Sequence, residues 1–249
     1  MSRITLTAAS RVGCVRSNNE DMVLAFDKLV RSDAYQTEFQ SENFGRFILA
    51  LADGMGGHRA GEVASELVLS NLQYFIGDLP KGLSAEEVHQ HMKEWLLSVN
   101  TVVNSRGSAD ISLRDMGTTL VGVLNYGDHY FWMNCGDSRL YRLRDGRLQQ
   151  LTTDHSLNNM TGQQKHSHVI TNCIGAGCKH LYLDMEEMTD DFLDGDVYLL
   201  CSDGLNDMVP DAEIQRLMLE GSTANGLCEA AIEAGGYDNV SALVFRVSQ

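Results

Sequence analysis

The sequence is poor in bases, prolines and paired cysteines, and each shortage excludes something. Its 249 residues hold 19 lysines and arginines against 34 acids, a formal net charge of −15. That shortage of positive charge argues against a nucleic-acid backbone or an anionic membrane as the main partner. With only 2 prolines, no Pro/Ser linker, no internal repeat and no low-complexity tract, one domain spanning 1–249 is the expected count. No apolar run approaches the length of a membrane span; Phe47–Ala52 and Val197–Cys201 are among the longest. The start, MSRITLTAAS, lacks the apolar stretch of a signal peptide. With 43% apolar residues the chain is too hydrophobic for disorder and long enough to bury a core without disulfide staples. These features predict a soluble, cytoplasmic globular protein.

The six cysteines (14, 135, 173, 178, 201 and 228) form no C-x-x-C pair, which argues against a thiolate zinc site or a redox dithiol. A cysteine-based phosphatase would carry an arginine six residues after its nucleophile. Those positions hold Glu20, Tyr141, Lys179, Asp184, Asp207 and Ala234, so that chemistry is excluded.

The hydrophobic pattern changes period along the chain. Strand-like runs at Ile4–Ala8, Met22–Phe26 and Phe47–Ala52 give way to two helical stripes. The first runs from Val63 to Ile76. The second runs from Val88 to Val103 behind the capping box Ser84-Ala-Glu-Glu87. Short β-rich runs follow: Thr118–Asn125, His129–Asn134, Ser138–Arg144, Arg147–Leu151, Val169–Ile174, Leu181–Met185, Val197–Cys201 and Val240–Val247. Two further helices fit Asp211–Leu219 and Thr223–Ala234, the latter capped by Ser222 or Thr223. Roughly eleven strands and four helices in the order β, αα, β, αα, β predict an α+β fold: two packed sheets with helical hairpins outside. The polar, aperiodic stretch 157–168 is expected to be a surface loop.

The informative feature is where the acids fall. Asp53 follows FILALA, Asp203 follows VYLLCS, Asp238 lies just before VSALVF, and Glu20-Asp21 precede MVLAF. Strand ends converge at the rim of a packed sandwich, so these acids can share one site. Two carboxylates about 4 Å apart repel by about 4 kcal/mol even at an effective dielectric of about 20, so such a cluster calls for cations. Oxygen-only donors favour Mg²⁺ or Mn²⁺. No D-x-[DN]-x-[DN]-G calcium loop occurs. Arg16, four residues before Glu20, adds a guanidinium suited to a tetrahedral anion. The segment Gly54–Arg59 has neither the spacing nor the lysine of a nucleotide P-loop. The pairs His89/His91 and His166/His168 could suggest a soft-metal site, but one lies beside a helix stripe and the other in the polar loop.

Six segments then occur in order: Arg16–Asp21, Ala52–His58, Asp115–Thr119, Gly136–Arg139, Ser202–Leu205 and Asp238-Asn239. Together they resemble the metal-dependent serine/threonine protein phosphatases of type 2C, especially the bacterial branch. The resemblance implies a β-sandwich of two mainly antiparallel sheets between helical layers (αββα), with two Mg²⁺ or Mn²⁺ ions at one end. It implies that Asp53 bridges the ions, that Asp203 and Asp238 serve one, and that Glu20 and the Gly54 carbonyl serve the other. Asp21 would hold coordinated waters, Asp115 would match a third-metal aspartate sharing Asp203, and Arg16 would bind phosphate. It also implies attack by a metal-bridging water on phosphoserine or phosphothreonine proteins, opposing a serine/threonine kinase. A two-metal phosphodiesterase and a non-catalytic module of the same fold are the competing readings.

Three departures accompany the match. Met55 stands where some members carry histidine, and His58 is read as turn support rather than as a general acid. The 157–168 segment is shorter than the flap of bacterial relatives. Asn172 replaces a common arginine, which is expected to loosen that flap.

Overall fold

The structure, a computed structural model, describes residues 3–56, 59–161, 169–178 and 180–248. His58, His166 and His168 lie outside the described residues.

Two six-stranded antiparallel sheets form the centre. The first has the order Arg147–Gln150, Arg139–Arg144, Val197–Cys201, Val240–Ser248, Arg3–Arg11, Ala34–Gln40. The second runs Asp184–Glu187, His129–Cys135, Leu120–Tyr126, Arg46–Ala52, Met22–Ala25, Lys28–Val30. Between them lies a core that includes Ile4, Leu6, Leu49, Leu51, Val121, Tyr198, Leu243 and Phe245. Both faces of these central strands are covered, which is why they read as continuous apolar runs rather than as alternating ones.

The outer faces receive helices. Helices α1 (Ala60–Asp78) and α2 (Ala85–Ala109) cover the second sheet, packing on Leu24, Ile48, Ala50 and Met133. The expected α2 stripe (Val88, Met92, Trp95, Leu96, Val99, Val103) is buried, and both halves of the Ser84–Glu87 capping box are made. A five-residue helix α3 (Leu157–Thr161) and a single turn α4 (Asp203–Asn206) follow. Helices α5 (Asp211–Leu219) and α6 (Ala224–Glu233) then cover the first sheet around Tyr141, Leu199 and Ala242. Thr223, not Ser222, caps α6. The layering is therefore α-β-β-α. Among the described residues, no helix is long and apolar enough to cross a membrane.

Several local expectations are corrected. There are fifteen strands and six helices among the described residues rather than eleven and four. Three of the extra strands are two-residue pieces in a small third sheet: Ile174–Gly175, Gly117–Thr118 and Gly54–Met55. The 157–168 segment opens with α3 instead of a loop, and the rest of it lies outside the described residues. The strand expected over Val169–Ile174 shrinks to the bridge between Ser156 and Ile170 plus Ile174–Gly175. The loosening expected of Asn172 falls on the 157–168 flap, whose residues 162–168 lie outside the described residues; Asn172 itself is well held. It is fully buried, its Nδ2 donates to the Tyr182 carbonyl (2.8 Å), and its Oδ1 accepts from the Tyr182 N–H (3.3 Å).

Candidate metal and phosphate site

Register places the acids at one rim. Met22 pairs with Ala52, so Asp21 and Asp53 leave adjacent strands at the same end of the second sheet. Cys201 pairs with Ala242 and Arg11 with Val240, which brings Asp203 and Asp238 to the same end of the first sheet. A cleft of about 670 Å³ opens there, lined by Arg16, Glu20, Asp53, Gly54, Asp203 and Asp238 among others.

Backbone and side-chain hydrogen bonds fix each donor. The Asp53 N–H donates to Thr119 Oγ1 (3.0 Å), and its carbonyl accepts from the Thr119 N–H (2.9 Å) and Thr118 Oγ1 (2.8 Å). The Glu20 N–H donates to Asn239 Oδ1 (2.9 Å), while Asn239 Nδ2 donates to the carbonyls of Val12 (2.9 Å) and Asn18 (2.8 Å). Asn239 thus stitches the Arg16–Glu20 loop to Asp238. A Cβ on Gly61 at the start of α1 would stand 2.6 Å from Glu20 Oε2, so only glycine lets that carboxylate lie against the helix.

Asp21 lies beneath the cleft with no solvent exposure. Ser202 Oγ donates to its Oδ2 (2.8 Å), whereas Oδ1 has no hydrogen-bond partner. A buried, unpaired carboxylate oxygen facing other acids is the donor that a cation or ordered water would satisfy. Burial pushes Asp21 up to about 7, and Asp203 and Asp238 add like-charge repulsion. Burial likewise raises Asp53 well above the carboxylate range, reinforced by Asp21, Asp203, Asp137 and Asp238.

The donors do not form a finished cage. Among the described residues, no three His, Cys, Asp or Glu side chains stand together as a ready-made metal nest. Asp238 instead accepts from Arg16 Nη2 at 2.7 Å. The all-oxygen donor set, the orphaned Asp21 oxygen and the excess of buried acid fit hard divalent ions.

Asp115 does not line the cleft, although its carbonyl lies against Gly56, which does. It is exposed, adopts φ +61°, lies 4.0 Å from Arg114 and borders a separate hollow beside α2. Asp137 approaches the cleft acids instead. Burial pushes it up to about 7, and Asp203 adds repulsion. Its neighbour Ser138 shares a hydrogen bond with Thr119 Oγ1 (2.8 Å), the oxygen that receives the Asp53 N–H. Asp207, one turn after Asp203 on α4, also lines the cleft. Asp137 belongs to the Gly136–Arg139 motif but receives no role from the sequence, and Asp207 is not singled out at all. The signal for Asp137 was the rule that found Asp53: it follows the apolar strand His129–Cys135 after one glycine.

Behind Asp137, His155 anchors the loop. The Gly136 N–H donates to His155 Nδ1 (3.1 Å), and the His155 N–H donates back to the Gly136 carbonyl (2.9 Å). Because Asn172 Nδ2 also donates to Nδ1 (2.9 Å), the ring proton sits on Nε2, which faces Asp184 Oδ2 at 2.9 Å.

Comparison with known proteins agrees with this construction. The protein phosphatase 2C family profile matches residues 26–227. The serine/threonine protein phosphatase PstP of Mycobacterium tuberculosis is 35% identical over 99% of this chain, which spans 46% of that protein's length. Protein phosphatase PhpP of Streptococcus pneumoniae is 30% identical, with 96% of this chain and 95% of that one covered. The solved catalytic domain of PstP, in complex with two manganese ions, superimposes with a TM-score of 0.76 at 33% identity over the whole of both chains. With the sandwich, the rim of acids and a sequence match over most of its length, the chain belongs to the protein phosphatase 2C family.

Proposed function

We propose that this chain is a metal-dependent protein phosphatase that hydrolyses phosphoserine and phosphothreonine monoesters and opposes a serine/threonine kinase in the cytoplasm. The observation that carries the reading is the single cleft where Arg16 meets Glu20, Asp53, Asp203 and Asp238, with Asp21 buried below. One relative is named a serine/threonine protein phosphatase and another a protein phosphatase, and the catalytic domain of the first is solved with two manganese ions.

Asp53, Asp203 and Asp238, with Glu20 and the Gly54 carbonyl, would hold two Mn²⁺ or Mg²⁺ ions, with Asp53 as the shared ligand. When bound, the ions supply Lewis acidity to the phosphoryl oxygens and acidify the attacking water. Asp21 would hold coordinated water through Oδ1, its Oδ2 being fixed by Ser202. A third ion would take Asp203 together with Asp115, the aspartate of the Asp115–Thr119 motif whose carbonyl lies against Gly56 of the cleft, or with Asp137, whose charge Asp203 opposes. Arg16 already points its guanidinium toward Asp238 at the cleft mouth. There it can turn its planar donors to a phosphoryl group and offset the charge that develops on it.

Turnover of a phosphothreonine peptide with Mn²⁺, with Mg²⁺ and with EDTA tests the reading. Metal-dependent phosphate release is expected, and bis-aryl phosphodiester hydrolysis should be much slower. A preference for the diester would favour a phosphodiesterase. No turnover of either ester under any metal would favour a non-catalytic module.

A further inference from the structure

Among the described residues, five acids and Arg16 line the cleft, but four large apolar side chains share it: Met55, Ile170, Met208 and Tyr237. The first three are partly buried. Tyr237 is 65% exposed, and it immediately precedes Asp238, the carboxylate that accepts from Arg16. The chain pins this tyrosine from both sides. At the end of α6 the N–H groups of Gly235 and Gly236 donate to the carbonyls of Ile232 and Ala231, both at 3.0 Å. The Cys14 N–H then donates to the Gly236 carbonyl (2.7 Å). On the other side the Asn239 N–H donates to Asp238 Oδ1 (2.8 Å), and Asn239 is itself bonded to the Val12 and Asn18 carbonyls. The ring has a seat of its own. Gly235 adopts φ +135°, and a Cβ there would stand 3.1 Å from Tyr237 Cε2 and 3.5 Å from Cδ2, so one edge of the ring rests against bare backbone.

We infer that Tyr237 is a specificity-determining residue, whose exposed ring takes a large apolar side chain next to the phosphorylated residue of a peptide substrate. That the ligand is a phosphopeptide rests on the phosphatase reading; that the rim is apolar does not. A ring left mostly in water adds little to folding, and with two rotatable bonds it loses little freedom when a ligand covers it. Its place in the chain sets what it can reach. A phosphoryl group turned toward Arg16 lies at the residue that follows Tyr237, and successive peptide residues are only about 3.8 Å apart, so a neighbouring side chain comes within range of the ring.

The chemistry of the lining favours an apolar occupant over a basic one. A basic side chain finds carboxylates all around this acidic cleft, so no single residue selects it. A large apolar one gains only where it meets Met55, Ile170, Met208 or Tyr237, and the unbranched methionines can adapt to its shape. Of these four, Tyr237 has the most surface still to bury.

The full chain with Mn²⁺ is assayed on two phosphothreonine peptides that differ only in carrying leucine or serine at both positions beside the phosphothreonine. The leucine peptide should be preferred about tenfold in kcat/KM, mostly through KM, and the preference should persist at about 0.5 M salt, where charge steering is screened. Tyr237→Ala should bring that ratio toward unity by raising KM for the leucine peptide, whereas Tyr237→Phe should keep it. An equal loss on both peptides in Tyr237→Ala would show a ring that only braces the loop and would overturn the inference. So would an unchanged ratio in that variant, or no leucine preference in the parent. Calorimetry with the same two peptides, carrying a phosphonate in place of the phosphate, separates the two readings. Leucine-dependent binding that Tyr237→Ala abolishes, without turnover of either phosphopeptide, sinks the phosphatase reading and leaves the rim standing. Turnover with no leucine preference in either assay does the reverse, and neither binding nor turnover overturns both.

Discussion

Burial and like charge act together on Asp21, Asp53 and Asp137, and their protons are linked to folding. Each has a folded pKa above its unfolded value near 4: Asp21 and Asp137 at about 7, and Asp53 well raised. The folded state therefore binds more protons than the unfolded chain between those limits, so stability falls as pH rises through that window. With EDTA present, the melting temperature should decline from about pH 5 to about pH 8. Added Mn²⁺ should raise it most at the alkaline end, where the carboxylates are ionised and free to bind. A flat metal-free profile in scanning fluorimetry would contradict the raised acids. The same reasoning separates two aspartates. Asp137→Asn should stabilise the EDTA-treated protein at about pH 8 and weaken its Mn²⁺ response. Asp115→Asn, on an exposed side chain outside the cleft lining, should leave the metal-free stability at about pH 8 unchanged. Equal effects of the two variants would overturn the placement. The sequence order Asp115-Met-Gly-Thr-Thr119 made Asp115 a plausible ligand. The fold leaves its side chain exposed, beside but not in the lining of the cleft.

Elements long enough to show a period were legible, and those set by tertiary pairing were not. The α2 stripe and its capping box could be read directly, because helical spacing and cap chemistry are local. The edge strand Ala34–Gln40 was missed because it is exposed along much of its length and carries no continuous apolar run. The two-residue strands at Gly54, Gly117 and Ile174 exist only through one another. One of them carries a proposed metal-binding carbonyl, so the least legible sheet lies beside the chemistry. Replacing Ser84 by Ala should cost about 1 kcal/mol of stability and leave turnover intact, since the cap lies at the far side of α2 from the cleft. Gly61→Ala should do more. Its Cβ would meet Glu20 Oε2 at 2.6 Å and the Gly54 carbonyl carbon at 2.8 Å. A destabilisation of about 1–3 kcal/mol is expected, together with weaker Mn²⁺ binding by calorimetry. If Gly61→Ala bound Mn²⁺ as tightly as the parent, Glu20 would not be a ligand.

At the scale of the whole molecule, the charge of −15 and the phosphate cleft pull against each other. On the proposed reading, a phosphorylated substrate would approach through a repulsive field that Arg16 and bound cations would invert locally. Two divalent ions would neutralise four charges at the cleft and leave the rest of the surface acidic. The acid positions at strand ends were readable from the sequence. Their convergence was not, because it depends on how the two sheets pack. The same surface predicts which phosphopeptides are processed fastest. Residues flanking a phosphothreonine that reach past the cleft meet the remaining acids, so lysine and arginine there should favour association, while glutamate and aspartate should oppose it. Two matched phosphothreonine peptides, one with basic and one with acidic flanks, should therefore differ in kcat/KM by about tenfold at low salt, mostly through KM. Raising the salt to about 0.5 M should shrink that gap toward unity as the Debye length falls to a few ångströms. A gap that survives high salt would place specificity in direct contacts around the cleft rather than in the field of the protein.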